Sequence, residues 1–334
     1  MSLDVITIGT ATRDAFLRSK DFKRISTPEY ESGEGLCLPA GAKVEVDDII
    51  FATGGGATNA AVTFSRQGYQ TACVCKIGDD VSGREVIANL KSEGISTIFA
   101  VQDEKLKTAY SILLLSDSGE RTILVYRGAS EHFEASDINL RALQAKWFYI
   151  AGSIPVGIVS TILGQAKDTD AKMAINPSQS QIKLGLKGLG DVLKKIDVLI
   201  INREEGAYLT GIDYKREDKI FKALDEYVKG IVILTDGPKG SLVSDGKNVY
   251  KAGIYKEEKI LDRTGAGDAY GSGFVSSLIE DEKNIERAIM FASANAASVV
   301  ESVGAKTGII SKDDFEKNPR WKKLQISKID INKL

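Results

Sequence analysis

The sequence predicts an α/β fold in which a mostly parallel sheet is covered by helices and carries a small β lid. From Trp147 onward, short apolar strands alternate with helical stretches, which is typical of a parallel sheet. Parts of two other segments, about 15–52 and 96–128, contain strand-like or polar runs without an intervening helix. We therefore predict one domain, 1–334, whose lid comes from these segments and could exclude water from a reaction; a plain surface hairpin is the alternative.

Local patterns of apolar and turn residues predict the individual elements. A Gly-rich turn followed by a helix is expected at 54–68, and a hairpin turn at 117–120. The charged tail, 312–334, is expected to lie on the surface. The other predicted strands are 5–9, 71–77, 96–101, 108–116, 122–126, 147–151, 171–175, 198–201 and 231–234, and the other predicted helices are 82–93, 268–279 and 284–300.

Composition argues against several classes of function. The chain has 334 residues and a formal net charge of −2, so it has no general electrostatic attraction to nucleic acid or to an anionic membrane. No run approaches the ~18 apolar residues of a membrane span. The N-terminus has no basic segment followed by an apolar one. We therefore expect a cytoplasmic protein that binds neither nucleic acid nor membrane.

The cysteine and histidine content argues against disulfide and histidine-based chemistry. The three cysteines show no metal-ligand spacing, which favours a reduced protein. Cys73 and Cys75 share a predicted strand and are expected to point to opposite faces. The single histidine, His132, has no second histidine or cysteine nearby with which to form a metal site or a triad.

One Gly-rich turn carries the strongest signal for chemistry. Residues 262–268 have the sequence DRTGAGD and lead directly into an apolar, helix-like run. Small residues let backbone N–H groups approach a ligand, and a helix N-terminus favours an anion. In phosphoryl transfer, such a turn would hold the phosphate while Asp268 takes a proton from the attacking hydroxyl. The alternative is that Asp268 only caps the helix.

Other phosphate-binding motifs do not match. The first strand runs into GTATRD at 9–14, which lacks the glycines of a dinucleotide fold. A Walker A loop fails because Ser241 stands at its first glycine and Asn248 follows Gly246-Lys247. The H-R-D loop of protein kinases is also missing. A different phosphate-binding scheme is therefore required.

Polar residues follow two predicted strands. Asn202 and Glu205 open a helix after one strand and could position Mg²⁺, or they could form a capping box. The next strand ends in the loop 235–240, TDGPKG, which lies where a nucleotide binds in an open α/β sheet. That loop could equally be a simple hairpin turn. Residues 54–59, GGGATN, could bring backbone and one amide against a small polar ligand.

Together these motifs resemble those of the ribokinase-like (PfkB) family of carbohydrate and nucleoside kinases. The resemblance covers nearly the whole chain, from Gly9 to about Gly304. Its most specific part is the signature at 265–268. The other matching parts are Gly54-Gly55 with Asn59, the N-x-x-E motif Asn202 to Glu205, the loop with Thr235, Gly237 and Gly240, and Asn176-Pro177.

The resemblance implies a three-layer sandwich with a β lid and an ATP-dependent kinase that phosphorylates a sugar hydroxyl. It implies that Asp268 is the general base and that Gly265, Ala266 and Gly267 form an anion hole. It also implies K⁺ near the carbonyls of Asp262 and Thr264, as in some relatives. The remaining candidate sites are Asp14, Gly54, Gly55, Asn59 and Arg127 for the substrate, Asn176, Thr235, Gly237, Gly240 and Asn295 for the nucleotide, and Asn202 and Glu205 for Mg²⁺.

Several alternatives remain open at this point. The acceptor could be a nucleoside such as adenosine, or the chain could be a non-catalytic α/β binding protein. Arg263, Arg121 and Arg127 could each contact substrate or phosphate, or face solvent. An exposed edge of the lid sheet could pair with a second copy of the chain, which would give a homodimer. A slot for a nucleobase could be formed by the aromatic residues Phe16, Phe51, Tyr110 and Tyr126, or these residues could simply pack within the lid.

Overall fold

Strands and helices alternate along most of the chain. The computed structural model describes residues 3–29, 33–115 and 121–330, so the predicted turn at 117–120 lies outside the described residues. The strands are β1 (Leu3–Gly9), β2 (Thr12–Arg18), β3 (Lys23–Ser26), β4 (Glu34–Cys37), β5 (Asp48–Gly54), β6 (Thr71–Gly78), β7 (Val101–Asp103), β8 (Ala109–Leu115), β9 (Arg121–Tyr126), β10 (Ala145–Gly152), β11 (Lys172–Pro177), β12 (Val198–Asn202), β13 (Ile231–Thr235), β14 (Ser241–Ser244), β15 (Asn248–Ala252) and β16 (Ile326–Asp330).

The helices connect successive strands of the main sheet. Within the described residues, no helix combines the length and the apolar character needed to cross a lipid bilayer. The helices are α1 (Gly56–Arg66), α2 (Val81–Ser92), α3 (Val156–Asp168), α4 (Gln179–Ile182), α5 (Gly185–Leu193), α6 (Arg203–Thr210), α7 (Glu217–Tyr227), α8 (Ala266–Glu280), α9 (Ile285–Val300) and α10 (Lys312–Lys317).

The main sheet has ten strands in the order β16-β15-β14-β13-β12-β11-β10-β1-β6-β7. Neighbouring strands are parallel from β7 to β13 and antiparallel from β13 to β16. The strand order reverses between β1 and β10, which end at Gly9 and Gly152. In open α/β sheets, ligands bind beyond the carboxyl ends of the strands at such a reversal.

Helices cover both faces of this sheet because its strands are apolar on both sides. On one face, Ile6 and Phe148 pack against α3, α5, α6 and α7. On the other face, Val5 and Tyr149 pack against α1, α8 and α9. Fully burying one such side chain contributes roughly 1.5–3 kcal/mol. The predicted α/β class with a mostly parallel sheet is confirmed.

The lid is a separate four-stranded sheet in the order β5-β2-β8-β9. Phe16 and Leu113 fill its covered face, whereas Phe51, Leu124 and Val125 are exposed. The lid begins at β2, slightly earlier than predicted. The predicted lid strand at 96–101 is wrong, because β7 pairs in parallel with β6 and extends the main sheet.

Two further expectations are wrong. Cys73 and Cys75 do not face opposite sides of the sheet; both side chains belong to one buried cluster. Positions two apart on a strand share a face, because the strand repeats every two residues. The C-terminal segment that begins at Lys312 does not lie wholly on the surface. Its side chains Phe315 and Trp321 are buried, and its strand β16 pairs with β15.

Candidate active site

Three adjoining cavities lie at the carboxyl ends of the parallel strands. The polar cavity, about 420 Å³, is lined by Thr10, Gly152 and Asp268 among others. The central cavity, about 200 Å³, also includes Asp268 and reaches Thr235. The apolar cavity, about 240 Å³, extends from Thr235 to Tyr270. Asp268 therefore lies where the first two cavities meet, and Thr235 lies where the second meets the third.

The start of α8 leaves its first turn open. Gly265 is the N-cap residue, with φ 81° in the left-handed region and no side-chain cap. A Cβ at this position would collide with Ala305, so glycine is required on two counts. The first N–H groups of a helix have no partner within that helix. The N-terminal end of α8 therefore offers backbone N–H groups without a side-chain cap, and Gly267 of its first turn lines the central cavity.

Asp268 is not a helix cap, so the capping alternative is wrong. Its Oδ2 atom accepts a hydrogen bond of 2.8 Å from Nδ2 of Asn59 on α1. Burial raises the pKa of Asp268, while the Asn59 hydrogen bond and the charge of Lys306 oppose that rise. A carboxylate whose pKa moves toward neutrality is suited to act as a general base.

Asn59 has an unpaired amide oxygen next to Asp268, although Asn59 itself lines none of the three cavities. Its Oδ1 atom is buried and has no hydrogen-bond partner within the part of the chain that the structure describes. Buried polar atoms are almost always paired in folded proteins. The other end of the same amide orients Asp268. The free oxygen therefore fits a hydroxyl group of a ligand beside Asp268.

Asp14 and the two glycines sit together at the base of the lid. Asp14 is buried on β2, and its Oδ1 atom accepts a 3.0 Å hydrogen bond from Thr12. Burial raises the pKa of Asp14. A Cβ on Gly54 of β5 would collide with the Asp14 carboxylate, and Gly55 is the N-cap residue of α1. The absence of a side chain at Gly54 therefore makes room for the Asp14 carboxylate. Asp14 itself lines none of the three cavities.

Lys306 is a charged residue of this region that the sequence reasoning missed. Its Nζ atom donates hydrogen bonds to Thr53 Oγ1 at 2.9 Å and to Asn89 Oδ1 at 3.1 Å. Burial lowers the pKa of Lys306 to about 8. Its charge lowers the pKa of both Asp14 and Asp268. No motif signals this lysine, because its burial depends on β5 and α2, which lie far away in sequence.

Asn202 and Glu205 form the capping box of α6. Asn202 Oδ1 accepts from the Glu205 N–H at 2.9 Å, and Glu205 Oε2 accepts from the Asn202 N–H at 3.0 Å. Burial raises the pKa of Glu205, and the nearby Asp268 raises it further. Both carboxylates line the central cavity.

The Glu205 carboxylate fits a divalent cation. Two acids in one cavity repel each other, and a cation held by Glu205 would relieve that repulsion while leaving Asp268 free to take a proton. The described residues contain no group of three or more His, Cys, Asp or Glu side chains that could hold a metal ion. Mg²⁺ keeps several waters and needs only one or two carboxylates beside substrate phosphates. A sparse set of protein ligands is therefore compatible with Mg²⁺.

The predicted nucleotide residues separate into two groups. Thr235, Gly237 and Gly240 line the apolar cavity, and Asn176 lines the polar and central cavities. Asn295 is not brought to these cavities. It is fully buried on α9, where its amide donates to the Ala269 carbonyl at 2.9 Å and accepts from the Ile310 N–H at 3.1 Å. These hydrogen bonds connect α9 to α8 and to the loop that follows α9.

The three arginines have different surroundings. Arg263 lines the apolar cavity. Arg127 lines the polar cavity, half-exposed, with its Nε atom 3.7 Å from Glu131. The side chain of Arg121 lies outside the described residues. Arg263 and Arg127 therefore keep access to a ligand.

Comparison with known proteins assigns the family. The family model described as pfkB family carbohydrate kinase matches residues 6–312. The ribokinase of Haemophilus influenzae is 30% identical over 271 residues, which cover 79% of this chain and 86% of that protein. This chain belongs to the pfkB family of carbohydrate kinases.

Other relatives agree with this kinase family and its fold. Fructokinase-1 of Oryza sativa is 26% identical over 285 residues, covering 78% of this chain and 86% of that protein. The solved Arabidopsis thaliana ribokinase, complexed with ribose and ATP, has a TM-score of 0.76 at 20% identity, covering 97% and 100% of the two chains. A nucleoside kinase of Methanocaldococcus jannaschii has a TM-score of 0.74 at 21% identity, covering 96% and 98%. The predicted ribokinase-like fold is confirmed.

Proposed function

We propose that this kinase transfers the γ-phosphoryl group of ATP to a hydroxyl group of a sugar, with Asp268 as the general base. The observation that carries the proposal is the Asp268 carboxylate in the first turn of α8, which lines two of the cavities and is oriented by Asn59. The family match and the ribokinase and fructokinase relatives support a sugar acceptor. The solved relative complexed with ribose and ATP supports the same substrate pair.

The proposed reaction begins with the acceptor hydroxyl beside Asp268. Asp268 takes the hydroxyl proton, and the acceptor oxygen forms a bond to the γ-phosphorus as the bond from that phosphorus to the β–γ bridging oxygen breaks. ADP then leaves with the bridging oxygen. Backbone N–H groups of Gly265, Ala266 and Gly267 would stabilise charge on the transferred group. Asp14 and the free Oδ1 atom of Asn59 would hold other acceptor hydroxyls, with Gly54 and Gly55 leaving them room.

The nucleotide would lie across the central and apolar cavities. The adenine ring would occupy the apolar cavity beside Tyr270. The loop with Gly237 and Gly240 would contact the phosphates near Thr235. Asn176 would face the transferred group from the other side. Mg²⁺, when bound, neutralises phosphate charge, and Asn202 and Glu205 would hold it directly or through water.

The lining of the polar cavity favours a sugar over a nucleoside. It consists of polar, charged and small residues, and none of the residues that line it is aromatic. Phe16 is buried in the lid, and Phe51 lies against Arg13, whose guanidinium carbon is 5.2 Å from the ring centre. A nucleobase needs an apolar or aromatic surface, whereas a polyol needs hydrogen-bonding groups.

An ADP-release assay with a panel of acceptors tests this function. Ribose, fructose and further sugars are compared with adenosine and other nucleosides at equal concentration, with ATP and Mg²⁺ present. A sugar should stimulate ADP release well above the rate without acceptor. Stimulation only by nucleosides would overturn the sugar assignment, and no stimulation by any acceptor would favour a non-catalytic binding protein.

Four secondary proposals follow from the same framework. We propose that 1–334 form one kinase domain and that the protein is cytoplasmic, as its free cysteines suggest. K⁺ would bind carbonyls of the loop at Asp262 and Thr264, where the Asp262 carboxylate accepts a 2.9 Å hydrogen bond from the Thr264 N–H. Activity in KCl should then exceed activity in choline chloride.

A homodimer would cover the exposed Phe51 and Leu124 of the lid, and a monomeric mass by sedimentation would contradict it.

A further inference from the structure

The turns after β12 and β13 are joined by an ion pair outside the three cavities. Asn202 and Thr235 pair directly in the sheet, so the next residues, Arg203 and Asp236, begin adjacent turns. The Nη1 atom of Arg203 lies 2.8 Å from Oδ2 of Asp236. One turn carries the N-x-x-E motif, and the other, 235–240, is the nucleotide loop. The ion pair therefore connects two parts of the proposed nucleotide site.

Arg203 is held from several directions. Its Nε atom donates to the Tyr214 carbonyl at 2.9 Å, and its guanidinium carbon lies 4.4 Å from the centre of the Tyr214 ring. Glu217 Oε1 is 3.6 Å from Nη1. The Tyr214 hydroxyl also donates to Asp236 at 3.3 Å. The side chains of Arg203 and Asp236 are only 11% and 14% exposed, so solvent weakens their attraction less than that of a surface pair.

We propose that Arg203 is a positioning residue that fixes the nucleotide loop relative to the start of α6. The inference rests on the proposed function, because it assumes that the loop binds ATP. Arg203 and Asp236 line a separate cavity of about 100 Å³ with Lys239, and neither lines the polar, central or apolar cavity. Arg203 therefore acts through the loop and not by touching the nucleotide.

The geometry explains why fixing this loop matters. Thr235, Gly237 and Gly240 contribute to the apolar cavity from the loop, whereas Glu205 contributes to the central cavity from α6. The loop has its own backbone hydrogen bonds, such as Gly240 N–H to the Gly237 carbonyl at 3.0 Å, but these bonds do not fix its position relative to α6. Holding the loop in one position lowers the entropic cost of binding a nucleotide. No residue of the loop 235–240 lines the polar cavity in which the acceptor is proposed to bind, so the KM for the sugar should not depend on Arg203.

The experiment measures nucleotide and acceptor dependence separately. Arg203→Met should raise the KM for ATP about 5- to 10-fold and leave kcat and the KM for the sugar within about 2-fold. Asp236→Asn should behave alike, and the double variant should be no worse than either single variant, because the pair acts as a unit. Arg203→Lys, which keeps the charge but not the planar fork, should fall between wild type and Arg203→Met.

Arg287→Met is the matched control. Arg287 joins Glu280 at 3.0 Å and Glu316 at 2.7 Å and lies over the Phe315 ring, but it lines none of the four cavities. This variant should lower Tm to a similar degree and leave the KM for ATP unchanged. The proposal is overturned if Arg203→Met lowers Tm without changing the KM for ATP, or if Arg287→Met raises that KM equally.

Direct binding of a fluorescent ADP analogue separates this proposal from the proposed function. If the wild type binds ADP and Arg203→Met weakens that binding about 5-fold or more, the positioning role stands even where no sugar is phosphorylated. If the wild type phosphorylates a sugar and Arg203→Met binds ADP as the wild type does, the positioning role fails while the proposed function stands. A wild type that binds no ADP overturns both.

Discussion

Helices α6 and α8 place a carboxylate at the same position of their first turn, yet the two carboxylates have different hydrogen-bond partners. Glu205 and Asp268 each lie three residues after the N-cap residue. In α6 the cap is Asn202, which binds the first turn and receives the Glu205 side chain in return. In α8 the cap is Gly265, which has no side chain to offer, so Asp268 bonds Asn59 of another helix.

The difference shows how the cap residue decides which groups of a first turn are already hydrogen-bonded within the helix and which remain available to other partners. An Asn cap satisfies one first-turn N–H group and occupies the acidic side chain. A Gly cap leaves those N–H groups available to an anion and leaves the carboxylate available to a proton donor. The two turns face one cavity, and the predictions below test whether their roles are as different as their caps.

The largest expected effect comes from Asp268→Asn. Turnover should fall by about 10²- to 10⁴-fold, the range for removing a general base. The free energy of unfolding at pH 7 should not fall, because burial raises the pKa of Asp268 and its ionised form therefore costs stability above its ordinary pKa. ADP-release kinetics and urea unfolding measure the two quantities. Turnover near that of the wild type would remove Asp268 from the mechanism.

Lys306→Met tests the buried cation whose charge lowers the pKa of Asp268. The folded-state pKa of Lys306 is about 8, against an ordinary value of 10.5. Below pH 8 folding carries the full cost of burying the charged amine, and that cost disappears as pH rises to 10.5. The wild type should therefore gain roughly 3 kcal/mol of unfolding free energy relative to Lys306→Met across this window.

Urea unfolding at pH 7.5, 9 and 10.5 measures that gain, and Lys76→Met provides the control. Lys76 is buried as well, but its Nζ atom lies 2.9 Å from Asp137 and 3.3 Å from Asp103, and these carboxylates raise its pKa. The Lys76 charge should stabilise the folded protein up to pH 10.5. The wild type should therefore show no gain in unfolding free energy relative to Lys76→Met between pH 7.5 and 10.5. A constant difference between the wild type and Lys306→Met would contradict the cost assigned to its buried charge.

The smallest expected effect on stability separates the two roles of Glu205. Glu205→Gln keeps a residue that can complete a capping box, so the free energy of unfolding should change by less than ~0.5 kcal/mol. Asn202→Ala removes the cap and should cost about 1 kcal/mol. Glu205→Gln should nevertheless raise the Mg²⁺ concentration for half-maximal activity several-fold. An unchanged Mg²⁺ requirement would limit Glu205 to its structural role.

Much of the fold and of the candidate site could be predicted because the signals are local. Alternating apolar strands and helices indicate a parallel sheet, and Asn202, Thr235 and Asp268 follow strands or open helices that these patterns locate. Their meeting at one sheet edge then follows from topology. Whether each residue performs its predicted role remains a prediction that the variants above test.

The features that could not be predicted depend on distant parts of the chain. Lys306 is buried only because Thr53 and Asn89 reach it from β5 and α2. The pairing of β16 with β15 draws a charged tail into the sheet, although its composition is that of a surface segment. The internal placement of Asn295 depends on α8 and on the loop after α9.

The hydrogen bond between Asn59 and Asp268 spans 209 residues of sequence. During synthesis the ribosome completes β1, the lid and α1 long before it reaches α8. At about 5–20 residues per second, at least ~10 s separate the two partners. If Asp268 is the base, a nascent chain therefore cannot carry out the proposed transfer until the last fifth of the protein emerges.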